Sequence, residues 1–210
     1  MMQTTYRPED VTILLKDVTG RLRPIPTRER EALIQSGVHY SEMLPLEYEP
    51  SPAYLETFRQ AMDRYAGMTA EAAAAAAEWI WRDKGPGVAL VSLARAGTSI
   101  GVLLRRYLRR RYGADVPHYT ISIIRGRGID RNAMAWILAR HRPEDVQFVD
   151  GWTGKGAIAG QLREAAADLP GVDPGVAVLS DPAGVAERWG TREDFLIPSS
   201  CLNAVVSGGT

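Results

Sequence analysis

The segment with the clearest chemical potential is VQFVDGWTGKGAIAGQL, at residues 146–162. Its apolar residues run into one acid, Asp150, and an alanine-rich helix follows a glycine-spaced loop. Glycines let a backbone approach a ligand closely, and the first N–H groups of a helix can bind an anion. Lysine adds a point charge and threonine a hydroxyl donor. This pattern predicts a phosphate-binding loop built from Thr153, Gly154, Lys155, Gly156 and Ala157.

This loop departs from the common nucleotide-binding patterns. A Walker A motif needs a glycine where this chain has Val149, and a serine or threonine where it has Gly156. The loop does not read GxGxxG either. These departures argue against an ATPase or GTPase. The alternative that stays open is a strand that simply turns tightly into a helix.

A second anion-suited loop follows an earlier strand, in the sequence LARAGTS at residues 93–99. Arg95 offers a guanidinium that can hold two phosphate oxygens, although a surface position or an ion pair is the alternative. Ala96, Gly97 and Thr98 open the next helix. In open α/β sheets, ligands bind beyond the carboxyl ends of the strands, where the strand order reverses. Two such loops at one edge suggest a ligand with two phosphate groups.

A third polar segment, IRGRGIDRN, spans residues 124–132. Arg125 and Arg127 alternate with glycines, which suits a mobile cationic loop that closes over a polyanionic substrate and excludes water. An ordinary solvated connection is the alternative.

Composition narrows the class of protein. The chain has 210 residues, 45% of them hydrophobic and 24% charged, with a formal net charge of zero. These values are typical of one globular domain and give no overall field that attracts nucleic acid or anionic lipid. The basic cluster on the helix after the second loop is expected to be solvated or paired with carboxylates. It comprises Arg105, Arg106, Arg109, Arg110 and Arg111.

Other features indicate a cytoplasmic protein. No apolar run approaches the roughly 20 residues that a membrane span needs, and the N-terminus lacks the layout of a secretory signal. The single cysteine, Cys201, forms no internal disulfide and agrees with a reducing compartment. His39, His118 and His141 lie far apart in the sequence, so we expect surface or hydrogen-bonding roles for them and no zinc site.

Strands and helices alternate after residue 85. β-like runs at residues 88–93, 119–124, 146–149 and 176–179 begin about 30 residues apart, the length of a strand plus a crossover helix. Helical patterns at residues 100–112, 131–140 and 157–169 separate them. This spacing predicts an α/β fold with a mainly parallel sheet flanked by helices.

The first 85 residues are expected to be mainly helical. Thr27 is expected to cap a helix to residue 35, Ser51 with Pro52 to open one to residue 65, and Thr69 to begin a third. Residues 11–15 suit an edge strand. We therefore expect one domain over residues 1–210, with a helical N-terminal region (1–85), an α/β core (86–194) and a hood or tail (195–210).

Several of these segments resemble known families. A strand that ends in an acid, followed by Thr-Gly and a helix, resembles the phosphoribosyl pyrophosphate motif of type I phosphoribosyltransferases, and the Arg95-Ala96-Gly97 loop resembles their pyrophosphate loop. More closely, GVHYSEMLPLEYEPSP, VSLARAGTSIG, PHYTISIIRGRGID and IPSSCLN together resemble the phosphoribosyltransferase-like StiP family, which also carries a cysteine-protease label. The likeness covers nearly the whole chain. Relatives occur beside tellurite-resistance and stress-response genes, where they are thought to make a nucleoside-like metabolite.

The resemblance implies a phosphoribosyltransferase that uses magnesium and phosphoribosyl pyrophosphate, with a small phosphorylated sugar as its partner. Asp150 would face the ribose, the loop from Thr153 to Ala157 the 5-phosphate, and Arg95 to Gly97 the pyrophosphate. Arg125 and Arg127 would close over the ligand, and Asp150 would approach a magnesium ion held mainly by the ligand. The acceptor is expected to be nucleobase-like, and the oligomeric state stays open, with a homodimer as one candidate.

One departure leaves other functions open. Type I enzymes commonly have two adjacent acids where this chain has Asp150-Gly151. A ribosyl-phosphate-binding protein without turnover is therefore one alternative. A cysteine peptidase that uses Cys201 as its nucleophile is another, and it needs a base within hydrogen-bonding reach of the thiol.

Overall fold

The computed structural model of the protein describes residues 4–18, 20–47 and 49–202. Its strands are β1 (Thr12–Ile13), β2 (Pro24–Ile25), β3 (Leu44–Pro45), β4 (Ala89–Leu93), β5 (His118–Ile121), β6 (Ile123–Ile124), β7 (Gly128–Ile129), β8 (Val146–Trp152), β9 (Val176–Ser180) and β10 (Arg188–Thr191). Its α-helices are α1 (Thr27–Gln35), α2 (Pro52–Lys84), α3 (Ala96–Tyr112), α4 (Arg131–Leu138) and α5 (Ala157–Ala166). Short 3-10 helices lie at Tyr40–Glu42, Gly85–Gly87, Pro143–Asp145 and Pro198–Leu202.

The central sheet has six strands in the order β1-β5-β4-β8-β9-β10, and every pair in it is parallel. The chain passes from β4 to β5 on one side and then returns to place β8 on the other side of β4. The strand order therefore reverses between β4 and β8. This architecture confirms the predicted α/β class, and residues 12–13 form the predicted edge strand.

Alternating side chains of the sheet build a core on each face, as the two-residue period of a strand requires. Leu90 and Leu179 pack with α2 and α3 on one face. Val91 and Val178 pack with α4 and α5 on the other. The result is a three-layer arrangement in which the helices that follow β4 and β8 lie on opposite faces of the sheet.

The N-terminal region differs from the expectation in the helix that spans residues 52–84. Ser51 caps this helix as predicted, and its hydroxyl accepts from the N–H of Tyr54. The predicted break before Thr69 is wrong, because α2 continues through it without interruption. A lone Gly67 costs only about 1 kcal/mol inside a helix, and the hydroxyl of Thr69 donates back to the carbonyl of Tyr65.

Two further boundaries also differ. The predicted Thr27 cap is wrong: Thr27 is the first residue of α1, and Pro26, which has no side-chain acceptor, takes the cap position. β8 continues beyond Asp150 to Trp152, because Trp152 still pairs with Ser180 of β9. The loop that was predicted to bind phosphate, called the phosphate loop below, therefore begins at Thr153. Residues 203–210 of the predicted tail lie outside the described residues.

Carboxylates pair with several of the α3 arginines, which agrees with the expectation that this cluster is solvated or paired. The ion pairs are Arg105–Asp115, Arg106–Asp10 and Arg111–Glu78. Within the described part of the chain, no helix is both long and apolar enough to traverse a bilayer.

Candidate functional site

The loops after β4 and β8 leave the same edge of the sheet side by side. Ser92 lies opposite Val149 in the paired strands. A Cβ atom placed on Gly151 would stand 3.6 Å from the Cβ of Ala96, so the backbones are in near contact. The structure thus brings the two predicted anion loops together where the strand order reverses, which is the usual ligand position in open α/β sheets.

Asp150 projects from β8 beside this junction and is partly buried. Burial raises the pKa of its carboxyl to about 6, and a hydrogen bond from the N–H of Gly151 opposes that rise. No ion pair engages Asp150 within the described residues. The side chain is therefore mostly ionised at neutral pH and can be protonated by mild acidification.

The start of α5 offers backbone N–H groups that suit an anion. Gly156 adopts a left-handed backbone with φ of +78°, a conformation that suits glycine, and Ala157 then begins the helix. The first intrahelical bond runs from the N–H of Gly160 to the carbonyl of Gly156. The N–H groups at the beginning of α5 thus have no helical partner and can meet an anion.

Thr153 is held by the protein itself. Its hydroxyl donates to the buried carboxylate of Asp181, and its N–H donates to the carbonyl of Ser180 over 3.1 Å. Thr153 is buried. In this arrangement the hydroxyl fixes the first residue of the loop and is not directed as a donor to a ligand.

Asp181 organises a turn that backs the phosphate loop. Its carboxylate accepts from the N–H groups of Val185 and Ala186 at 3.0 and 3.2 Å and pairs with Arg192 at 2.8 Å. The side chain of Val185 lies 3.5 Å from where a Cβ of Gly156 would stand. The turn therefore supports both ends of the loop.

A cleft of about 420 Å³ opens in front of the phosphate loop. Asp150 and Arg125 share its lining with the half-exposed ring of Trp152, whose indole N–H donates to Asp194. The loop residues Thr153, Gly154, Lys155, Gly156 and Ala157 complete the polar wall, and Val176 and Val178 contribute apolar surface. The volume lies within the range of about 300–1,000 Å³ that small-molecule sites occupy.

The arginine-glycine segment forms a short antiparallel hairpin, β6–β7, with Arg125 and Arg127 at its tip. Arg125 lines the cleft, whereas Arg127 pairs with Glu42 of the N-terminal region. The N–H of Gly126 donates to the side chain of Gln161 on α5. The structure thus brings only one of the two predicted arginines to the cleft wall.

The side chains of the Arg95–Thr98 loop point in different directions. Arg95 lies at the start of α3, and its guanidinium is 3.4 Å from the carboxylate of Glu47. The hydroxyl of Thr98 is buried against that of Thr120 at 2.7 Å. The side chain of Thr98 therefore faces the sheet, while the backbone of Gly97 remains beside Asp150.

Asp181 is a residue of the site that the predicted anion loops do not include. It follows the end of β9, as Asp150 lies near the end of β8, so an acid at the end of a buried strand was the available signal. The contacts of Glu42 and Glu47 had no local signal, because they join segments far apart in sequence.

The metal-ligating side chains at the site indicate what kind of metal ion it could bind. Within the described part of the chain, no group of three or more His, Cys, Asp or Glu side chains could hold a metal ion. Magnesium usually keeps several waters and binds through one or two carboxylates plus substrate phosphates. Asp150 in the cleft fits a magnesium ion that is carried mainly by the ligand.

Nearly the whole chain matches one protein family. The family model described as "Tellurite-like stress resistance cysteine protease StiP" matches residues 4–209. The chain belongs to this StiP family. The protein named Cysteine protease StiP from Acinetobacter baylyi (strain ATCC 33305 / BD413 / ADP1) is 42% identical over 208 residues, which are 97% of this chain and 54% of that relative. The chain therefore spans about half the length of this StiP relative.

Solved structures resemble this StiP-family chain more distantly. A Helicobacter pylori xanthine-guanine-hypoxanthine phosphoribosyltransferase has a TM-score of 0.36 and 14% identity, over 66% of this chain and 77% of that one. A hypothetical protein from Neisseria gonorrhoeae with bound ppGpp has a TM-score of 0.39 and 19% identity, over 60% and 80% of the respective chains.

The cysteine in the StiP family name directs attention to Cys201. It is partly exposed in the last short helix, and its carbonyl accepts from the hydroxyl of Tyr54. The histidines are engaged elsewhere. His39 bonds to Ser41, His118 to Ser92 and His141 to Tyr119.

Proposed function

We propose that this protein binds a phosphorylated ribose in the cleft beside Asp150 and transfers the ribosyl phosphate from phosphoribosyl pyrophosphate to a nucleobase-like acceptor in a stress response. The observation that carries the proposal is one cleft wall that contains both a partly buried carboxylate and the start of α5. A sugar phosphate needs such a pair, an anion site at one end and a hydrogen-bond acceptor for its hydroxyls at the other.

The phosphate end rests on the loop before α5. The N–H groups after Gly154 and at the start of α5 would hold the 5-phosphate, and Lys155, which is exposed in the cleft lining, would add a positive charge. Thr153 supports this loop through Asp181. The 5-phosphate would thereby fix the sugar relative to β8.

Asp150 would act at the sugar. As the bond from ribose C1 to pyrophosphate lengthens, positive charge develops on the ring, and the acceptor then forms the new bond to C1. An ionised carboxylate stabilises this charge without a covalent intermediate. Because burial raises the pKa of Asp150 to about 6, its ionised form and the rate are expected to increase as the pH rises through 6.

The pyrophosphate would lie toward the start of α3, where the backbone of Gly97 adjoins Asp150 and Arg95 precedes the helix. Bound magnesium would neutralise part of the pyrophosphate charge. Arg125 lines the same cleft as Asp150 and would orient the ligand and exclude water.

Isothermal titration with phosphoribosyl pyrophosphate, ribose 5-phosphate and ATP, each with and without magnesium, tests the ligand class. We expect binding of the two ribose phosphates and none of ATP. Preference for ATP would contradict the proposal. Binding of the ribose phosphates without release of pyrophosphate would indicate a binding protein instead of a transferase.

Asp150→Asn tests the catalytic role. The substitution keeps size and an oxygen acceptor for the Gly151 N–H but removes the charge. We expect ribose 5-phosphate affinity to change little and pyrophosphate release to fall by about 10²-fold, the scale of one preorganised electrostatic contact. Loss of binding with an unchanged rate at saturation would instead assign Asp150 to the loop or to a metal.

The family name favours a second candidate, a cysteine peptidase that uses Cys201. A thiol nucleophile needs a base in reach, and each histidine bonds to another residue. Cys201→Ser should therefore leave ribose-phosphate binding intact. If the wild type cleaves peptides, is trapped by a thiol-directed inhibitor and loses cleavage in this variant, the peptidase is the better assignment.

A further inference from the structure

Residues 39–47, HYSEMLPLE, form a segment that we name the acidic strap. It contacts both arginine-bearing loops of the site. The carboxylate of Glu42 pairs with Arg127 in the β6–β7 hairpin. The carboxylate of Glu47 lies 3.4 Å from the guanidinium of Arg95 at the start of α3. One segment thus places a carboxylate next to each of two arginines that were expected to contact ligand phosphates.

The strap is held in place by contacts that do not involve its carboxylates. Within it, β3 (Leu44–Pro45) pairs with β2 (Pro24–Ile25), and Met43 is buried. The hydroxyl of Tyr40 accepts from the N–H of Arg125 at 3.1 Å. Removing a carboxylate charge should therefore leave the strap in position.

The two ion pairs are open to solvent. In the Glu42–Arg127 pair the side chains are 50% and 48% exposed, and in the Glu47–Arg95 pair 58% and 32%. Exposed pairs are weak because water and salt screen them. An incoming phosphate, which carries more charge than a carboxylate, can replace the glutamates on the arginines.

We infer that Glu42 and Glu47 determine the charge that a ligand must carry, by competing with its second anionic group for Arg127 and Arg95. The inference rests on the proposed function of the cleft. A monophosphate needs only the loop before α5 and leaves the strap unchanged. A ligand with a pyrophosphate group must displace at least Glu47, and it does so because its charge is higher. The strap thereby excludes weakly charged anions from the arginines.

Charge-neutral variants test this competition. Glu42→Gln and Glu47→Gln remove one charge each and retain a hydrogen-bonding side chain. Glu144→Gln is the matched control, because Glu144 forms an exposed pair with Arg142 at 3.5 Å, before the start of β8 and so at the far edge of the sheet. Inorganic pyrophosphate and ribose 5-phosphate are titrated into the wild type and the three variants by calorimetry, at low and high salt.

We expect Glu47→Gln to bind pyrophosphate about two- to fivefold more tightly than the wild type, as suits the loss of an exposed competitor, with a similar or smaller gain for Glu42→Gln. Ribose 5-phosphate affinity should not change, and Glu144→Gln should behave as the wild type. Unchanged or weaker pyrophosphate binding in both strap variants overturns the inference, as does an equal gain in Glu144→Gln. Failure of the wild type to bind ribose 5-phosphate overturns the proposed function itself.

Discussion

Gly97, in the first turn of α3, faces the end of β8 so closely that a methyl group in place of its hydrogen would overlap the carbonyl oxygen of Val149. The same methyl group would stand 3.1 Å from the Cα of Asp150. The close approach lets the start of α3 and the acid of β8 meet at one edge of the sheet. A side chain at residue 97 would have to push the two loops apart.

Gly97→Ala is therefore expected to destabilise the fold by about 1–3 kcal/mol, the usual cost of overpacking. Gly67→Ala is the matched control, because Gly67 lies in the middle of α2 and its added Cβ would have no atom within 4 Å outside the adjacent backbone of its own helix. That change should stabilise the helix by up to about 1 kcal/mol. Urea denaturation measures both, and a neutral Gly97→Ala would show that the loops do not depend on this contact.

The hydrogen bond from Thr153 to Asp181 predicts different effects for two substitutions of Thr153. Thr153→Ser keeps the hydroxyl and should preserve stability to within about 1 kcal/mol, whereas Thr153→Val leaves a lone pair of the buried Asp181 carboxylate unmatched and should cost about 1–3 kcal/mol. Ribose 5-phosphate affinity should follow the same order, because Thr153→Val removes the hydrogen bond that joins the loop to Asp181. Equal behaviour of the two variants in denaturation and titration would show that the hydroxyl does not hold the loop.

The raised pKa of Asp150 predicts that the stability of the protein depends on pH. This pKa is raised from 3.8 to about 6, so between these values the folded state holds a proton that the unfolded chain releases. The stability contributed by this group is therefore present below about pH 4 and is lost as the pH rises through 6. Asp150→Asn should be more stable than the wild type at pH 8, by on the order of 2–3 kcal/mol, and equal to it near pH 3.5.

This comparison has to be made between variants at the same pH. Burial lowers the pKa of His118 to about 4, so its contribution to stability rises with pH over the range from about 4 to 6.5. That contribution is common to both proteins and cancels in their difference. A constant difference between Asp150→Asn and the wild type from pH 3.5 to 8 would contradict the raised pKa.

The periodic part of the fold followed from the sequence. The buried strands have apolar runs between glycine-rich turns, so β4, β8 and β9 were placed within a few residues. The full length of helix α2 was not predicted, because Gly67 and Thr69 are local signals of an interruption. The following alanine run has a high total helix propensity, and it outweighs these signals. Strands β2 and β3 were not predicted, because each is too short to show a periodic pattern and forms only by pairing with the other, about 20 residues away in the sequence.

The candidate site was partly predictable for a related reason. Asp150 and Gly156 belong to one contiguous motif, so the local sequence was enough to predict their positions at the end of the strand and the start of the helix. The partners of Thr153 and Arg127 come from other segments, so the sequence could not show that Asp181 and Glu42 take up their side chains. Contacts between distant segments decide which predicted donors face the cleft.

The central claim, that the loop before α5 binds the phosphate of a ribose phosphate, is tested most directly by one calorimetric comparison. Gly156 and Gly113 both have positive φ, +78° and +67°, but Gly113 lies at the far end of α3. An alanine at either position should cost about 1–2 kcal/mol of stability. Titration of ribose 5-phosphate should show wild-type affinity in Gly113→Ala and a loss of about tenfold or more in Gly156→Ala, as expected when hydrogen bonds to a charged group are misaligned. Equal affinity in the two folded variants would contradict the account.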